Sequence, residues 1–95
     1  MLCVCVDFRL NPDAFEPFVR RVQQQARDSL QNEPGCKIFE VWTSLDRPNE
    51  VHLHEIYDDA AAFGLHLESR HFQAFDADTA DMIIDKTVTR WDRKL

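Results

Sequence analysis

Apolar residues in this chain recur with two alternating periods, two residues and roughly 3.6, and each switch between them marks an element. Leu2 to Leu10 is apolar on both alternating faces as far as Asp7, which predicts a central strand covered on both sides. Asn11-Pro12-Asp13 breaks it. Phe15, Phe18, Val19, Val22, Ala26 and Leu30 then fall on one stripe of a helix predicted to run to about Gln31. Asp13 and Glu16 have the spacing of a capping box. Pro17, near the start, is expected to cost a hydrogen bond and bend the first turn. The opposite face, with Arg20, Arg21, Gln24, Gln25, Arg27 and Asp28, reads as solvated. Pro34-Gly35 ends the helix.

Cys36 to Ser44 reads as a second strand, with Phe39 and Val41 on one side and Ile38, Glu40 and Trp42 on the other. Asp46-Arg47-Pro48-Asn49 is a turn. Glu50 to Tyr57 forms a third strand, antiparallel to the second. Val51, Leu53, Glu55 and Tyr57 share one face, opposite His52, His54 and Ile56. Asp58 or Asp59 can cap a helix opened by Ala60, Ala61 and Ala62, in which Phe63, His66 and Leu67 line one side. Ser69 can cap a second helical segment carrying His71, Phe72 and Phe75. Lys86 to Trp91 is a last strand, with Thr87, Thr89 and Trp91 on one side. The order β-α-β-β-α-β predicts an α+β, ferredoxin-like fold over residues 1–95 as one domain, with both helices on one face of an antiparallel sheet. The second sheet face stays apolar and uncovered, which predicts a homodimer packed sheet on sheet.

Charge narrows the partners. With 17 acidic and 11 basic residues the net charge is −6, and only Arg90, Arg93 and Lys94 cluster, so a nucleic-acid partner is not expected. No apolar run approaches the ~20 residues of a membrane-spanning helix, and the N-terminal stretch lacks the basic flank of a signal peptide, so a cytoplasmic, non-membrane protein is expected. Three cysteines, an odd count without framework spacing, fit a reducing compartment. Cys3 and Cys5 face one side of their strand. A Cys-x-Cys metal site with Cys36 is the alternative to three small buried thiols. His52 and His54 form a pair whose third metal ligand would have to be Glu40. The two glycines, Gly35 and Gly64, make no phosphate-cradling loop. Neither a metal nor an organic cofactor is therefore expected.

Candidate chemistry concentrates between Glu55 and Phe75. His66 sits on an apolar stripe, where a general base and a backbone-bonded core histidine are both consistent with the pattern. Glu55 stands among apolar neighbours and needs a partner: His66, or an arginine across a dimer interface. Tyr57 and Trp42 can line a pocket or fill the core. His71, near a helix start, can serve as a second polar group or a cap.

Three segments together carry a family likeness: Tyr57-Asp58-Asp59 with the alanine run and His66-x-x-Ser69-x-His71-Phe72; Glu33-Pro34-Gly35-Cys36; and Pro48-Asn49 followed by a strand to Glu55. Their order and spacing resemble the antibiotic biosynthesis monooxygenase family over residues 2 to 92. The resemblance implies a dimeric α+β barrel with a pocket between sheet and second helix in each subunit. It also implies cofactor-independent oxidation of a small aromatic, phenol or quinol by molecular oxygen. His66 would be the base, Glu55 its orienter, Tyr57, Trp42, Phe63 and Phe72 the wall, and His71 a further pocket group. Relatives that isomerise a phosphorylated sugar would need a cationic subsite that is not evident here. Haem-degrading relatives carry a tryptophan at the place of His66 and a histidine at that of Asp76. A non-catalytic dimer that binds an apolar ligand is the reading from a different class.

Overall fold

The structure is a computed structural model describing all residues, 1–95. Its elements are β1 (Leu2–Leu10), α1 (Phe15–Asn32), β2 (Cys36–Ser44), β3 (Arg47–Tyr57), α2 (Ala60–Glu68), α3 (Arg70–Thr79) and β4 (Ile83–Trp91). Single 3-10 turns at Pro12–Ala14 and Ala80–Met82 lead into α1 and β4. The strands form one sheet in the order β2-β3-β1-β4, with every neighbouring pair antiparallel. This is the expected ferredoxin-like α+β arrangement, with its second helix divided at Ser69.

Alternation along β1 places Leu2, Val4, Val6, Phe8 and Leu10 under the helices, all buried. Side chains of this kind each stabilise the fold by roughly 1.5–3 kcal/mol. The strand is central, as expected, but covered on one face only: Cys3 and Cys5 are half-buried, and Asp7 and Arg9 are exposed. Both helical layers stack on the same face, so no helix reaches the other, where only the chain ends at Met1 and residues 92–94 lie against the strands. Phe18 of α1 packs its ring 4.9 Å from Phe8 and 6.0 Å from Phe75, joining α1, β1 and α3.

Helix α1 departs from its expected pattern in three ways. Ala14 holds the N-cap position without a side-chain hydrogen bond, so the Asp13–Glu16 box does not form; the 3-10 turn stands in its place. Pro17 becomes the third helical residue, where an N–H would have no intrahelical acceptor, so it breaks no bond. The buried stripe also rotates. Leu30 is 45% exposed, while Gln25 and Ser29 are buried at 1% and 0%.

Two irregularities tune the sheet. Cys36 pairs with Tyr57 and Ile38 with Ile56, so Lys37 is an extra residue in β2, and Cys36 and Phe39 both point inward despite their spacing. Ser44 pairs with Arg47, which moves the expected turn to Leu45-Asp46 and starts β3 earlier. Asn49 absorbs the remaining irregularity at φ 67°, a region asparagine tolerates better than most residues.

Candidate functional site

The site is assembled by three chain reversals. At the first, α1 ends on Glu33, whose N–H donates to the Ser29 carbonyl, and Cys36 N–H closes a turn onto the Glu33 carbonyl. A Cβ on Gly35 would lie 2.5 Å from Ala62 Cβ, so only glycine lets this turn meet α2. At the second, Asp59 caps α2 by accepting from Ala62 N–H at 2.8 Å. The alanine run propagates the helix, and Phe63 and His66 fall on its inner face, 8% and 3% exposed. At the third, Ser69 serves two helices. Its hydroxyl donates to the His66 carbonyl at 2.7 Å and accepts from Phe72 N–H at 3.2 Å. The chain turns there, and Phe72 folds back with its ring 5.0 Å from that of His66.

These reversals place one carboxylate between two imidazoles. Glu33 accepts from His66 Nδ1 at 2.9 Å and from His71 Nε2 at 2.5 Å, all three side chains being less than one-fifth exposed. A carboxylate can only accept, so His66 carries a proton on Nδ1, and in the neutral ring Nε2 is left free to accept. Burial pulls the His66 pKa below its ordinary value, against the upward pull of Glu33. In the sequence Glu33 stands out only as part of the Glu33-Pro34-Gly35-Cys36 turn, not as a site residue. One signal was available: an acidic residue at a helix C-terminus opposes the helix dipole and calls for a partner.

Glu55 does not orient His66; no hydrogen bond joins them. Its partner is Tyr57, whose hydroxyl donates to Glu55 Oε1 at 2.6 Å. At 2% exposure, desolvation raises the Glu55 pKa from 4.5 to about 7, partly opposed by that hydrogen bond and by Lys86. Tyr57 is fully buried, and desolvation with the neighbouring Glu55 pushes its phenol far above the ordinary range.

Between sheet and helices lies a cavity of about 400 Å³ counted out to its mouth, of which a water molecule reaches about 50 Å³. Ligand sites in general occupy roughly 300–1,000 Å³, so the space water reaches here, about 50 Å³, is narrower than a bound aromatic needs and the walls must part to admit one. Val6, Phe8, Phe39 and Leu53 floor it from the sheet, and Phe63, Leu67, Phe72 and Phe75 wall it from α2 and α3. Four polar side chains enter: Glu55, His66, Lys86 and Gln25. Lys86 and the 49%-exposed Val88, both on edge strand β4, mark the open side. Gln25 is the second residue sequence reasoning missed, having been assigned to the solvated face. Neither its Oε1 nor its Nε2 has a hydrogen-bond partner.

Of the seven residues expected at the site, four line this cavity: His66, Glu55, Phe63 and Phe72. Tyr57 stands behind the wall, holding Glu55. His71 reaches the site only through Glu33 and faces a separate groove with Ser69 and Leu65. Trp42 is displaced altogether. It is 57% exposed on the opposite sheet face, where alternation puts it, and its indole N–H donates to Glu40.

Of the metal sets considered from sequence, Cys36 is buried on the inner face, His52 pairs with Asp7 at 2.7 Å and Glu40 is engaged by Trp42. The donor atoms of Glu33, His66 and His71 lie within 4.8 Å of one another, a set with the composition to hold a divalent cation. Mutual hydrogen bonding already satisfies them.

Solved structures with this fold include a provisionally assigned antibiotic biosynthesis monooxygenase from Nitrosomonas europaea, 22% identical, covering 98% of each chain at a TM-score of 0.92. Another, similarly assigned, is from Caulobacter crescentus, 19% identical, covering 99% of this chain and 90% of that one at 0.93. The Mycobacterium tuberculosis protein Rv0793 is 22% identical, covering 98% and 94% at 0.89. At these identities the likeness establishes the fold. Among curated proteins none matches. The family model described as antibiotic biosynthesis monooxygenase matches residues 1–78, which include Glu33, Glu55, His66 and His71, and the chain accordingly belongs to that family.

Proposed function

We propose that the chain is a cofactor-independent monooxygenase that oxidises a small phenol or quinol with molecular oxygen, working as a homodimer. The observation that carries this reading is His66. Its Nδ1 is held by the buried Glu33 carboxylate, and its unprotonated Nε2 belongs to a ring that lines a largely apolar cavity. Nine of the 13 lining residues are hydrophobic, which suits an aromatic ring better than a phosphorylated sugar.

Nε2 takes the phenolic proton, with Glu33 stabilising the imidazolium that results. The electron-rich phenolate reduces oxygen, and a carbon–oxygen bond forms to give a ring peroxide, which takes the proton back from His66. The Glu55 carboxylate then removes the ring C–H proton as the O–O bond breaks, and passes that proton to the departing hydroxide, which leaves as water. A phenol plus O₂ becomes a quinone plus water; the substrate supplies all the electrons, and no other reductant is consumed. A carboxyl group with a pKa of about 7 suits this last step near neutral pH. The unpaired amide of Gln25 offers hydrogen bonds to a second substrate oxygen.

The test is oxygen uptake over a panel of phenols and quinols by wild type, His66→Ala and His66→Gln. Both variants are expected to fold and to lose about 10²–10⁴-fold in turnover, the contribution of a positioned base. Ligands that raise the melting temperature of wild type without any oxygen uptake would replace this reading with a non-catalytic binding protein.

A further inference from the structure

The outer face of the sheet carries a second convergence of donor atoms, which the cavity chemistry does not use. Cys3 and Cys5 alternate along β1, so both side chains leave the sheet away from the helices. His54 of β3 lies directly across from Cys5 on that same face. The three donors are evenly spaced: Cys3 Sγ to Cys5 Sγ, Cys3 Sγ to His54 Nδ1 and Cys5 Sγ to His54 Nδ1 are each 3.9 Å. An equilateral triangle of that side has its centre 3.9/√3, or about 2.3 Å, from every corner. Zinc takes thiolate sulfur at about 2.3 Å and imidazole nitrogen at about 2.0–2.1 Å.

We propose that Cys3, Cys5 and His54 form a binding site for Zn²⁺, a thiophilic d¹⁰ cation, separate from the cavity. An ion at the triangle's centre reaches all three donors with shifts of a few tenths of an ångström. Two thiolates and an imidazole select such ions over magnesium or calcium, which take oxygen ligands. Other accounts of the triangle are weaker. A disulfide needs its sulfurs at about 2.05 Å, far inside 3.9 Å. As hydrogen bonds, three contacts at 3.9 Å are at the extreme of sulfur geometry and do not explain convergence on one point. All three residues are half-buried, shielded yet reachable. A tetrahedral ion keeps one position open. That position gives onto a groove which Cys3 and His54 share with Met1 and Trp91, where a water, the Met1 thioether or a donor from a second copy can complete the sphere.

The test is titration of the full chain, reduced and metal-free, with Zn²⁺ against a chromogenic chelator, and with Co²⁺ as a spectroscopic probe. One ion per chain is expected, and the cobalt form should show thiolate-to-metal charge-transfer absorption. The double variant Cys3→Ser/Cys5→Ser, and separately His54→Gln, should weaken Zn²⁺ binding by more than the ~10–100-fold that losing an outer-shell partner costs. Cys36→Ser, on the inner face, should leave it unchanged. The site is overturned if wild type binds no Zn²⁺, or if the cobalt form shows no thiolate charge transfer. It is equally overturned if the ion survives Cys3→Ser/Cys5→Ser but is lost in Glu33→Gln, which would move it to the histidine pair beside the cavity. The cobalt spectrum is read on wild type, so a variant that fails to fold cannot rescue the proposal.

Discussion

Replacing Glu55 with glutamine isolates the energetic consequence of burying an ionisable group beneath the cavity. The carboxyl is 2% exposed, and its pKa rises from 4.5 to about 7. A raised pKa means that the folded chain binds a proton the unfolded chain releases. The associated stability is therefore fully present below pH 4.5 and is lost as pH rises to about 7. At 1.36 kcal/mol per unit, the charged form of Glu55 costs the fold about 3 kcal/mol above neutrality. Glutamine has the same shape, keeps an oxygen to accept from the Tyr57 hydroxyl and cannot ionise. Glu55→Gln should accordingly match wild type near pH 4 and exceed it by about 3 kcal/mol at pH 8. For a domain of this length that corresponds to a melting temperature higher by on the order of 10–20 °C. Urea unfolding at a series of pH values reads the difference directly. A variant no more stable than wild type at pH 8, or a difference that does not grow between pH 4 and 7, would refute the reasoning. The same substitution should slow oxidation, since the amide cannot take the ring proton.

Four further outcomes follow, three from the site and one from the uncovered sheet face. Glu33→Gln removes the anion shared by His66 and His71; loss of hydrogen bonds to a charged group costs about 1.5–3 kcal/mol each, and turnover should fall by about 10²–10⁴-fold as the His66 tautomer is released. Burial makes the folded His66 harder to protonate than the unfolded one, so the stability tied to it falls as pH drops through 6.5; Glu33→Gln removes the opposing upward pull and should steepen that loss, read by urea unfolding across pH with NMR titration of the ring beside it. Gln25→Leu removes an unpaired buried amide and should stabilise the empty protein by about 1–3 kcal/mol while raising KM for substrates bearing a second oxygen. Light scattering should show a dimer at micromolar concentration, and Trp42→Glu with Trp91→Glu, on the uncovered sheet face, should shift it to monomer.

Strand period, alternation and the caps of α2 and α3, though not that of α1, were legible because they are local. β1 and β2 fall where their periods put them, and Asp59 and Ser69 cap as their side chains allow. What was not legible depends on contacts distant in sequence. Gln25 reads as solvated because glutamine usually is, and only the rotated packing of α1 against Phe75 and the sheet turns it inward. Glu33 joins His66 across 33 positions and His71 across 38, and no periodicity encodes that meeting. Trp42 was drawn toward the pocket by its aromatic character, although its own alternation with Phe39 and Val41 already pointed it outward. The cysteine spacing points Cys3 and Cys5 to Cys36 as a third ligand, whereas strand register brings His54 to them instead.

Ser69 also has a consequence for motion. It is at once the last cap of α2 and the first of α3, in extended backbone at φ −68°, ψ 149°, between two rigid rods. Helix α2 is tethered near this end by the Glu33–His66 link and by the packing of Phe63 and His66 on Tyr57, and at its start by Asp58 N–H on the Gly35 carbonyl and the Gly35–Ala62 contact. The sheet beneath depends on none of these. Rotation about Ser69 would therefore lift α2 while the strands stay paired, widening a cavity whose water-reachable interior is narrow at rest. Amide hydrogen exchange would register this as a separate, low-energy opening of residues 60–69 beneath the global unfolding limit set by β1 and β3. The carboxylate that sets the proton of His66 would then also be the latch on the door.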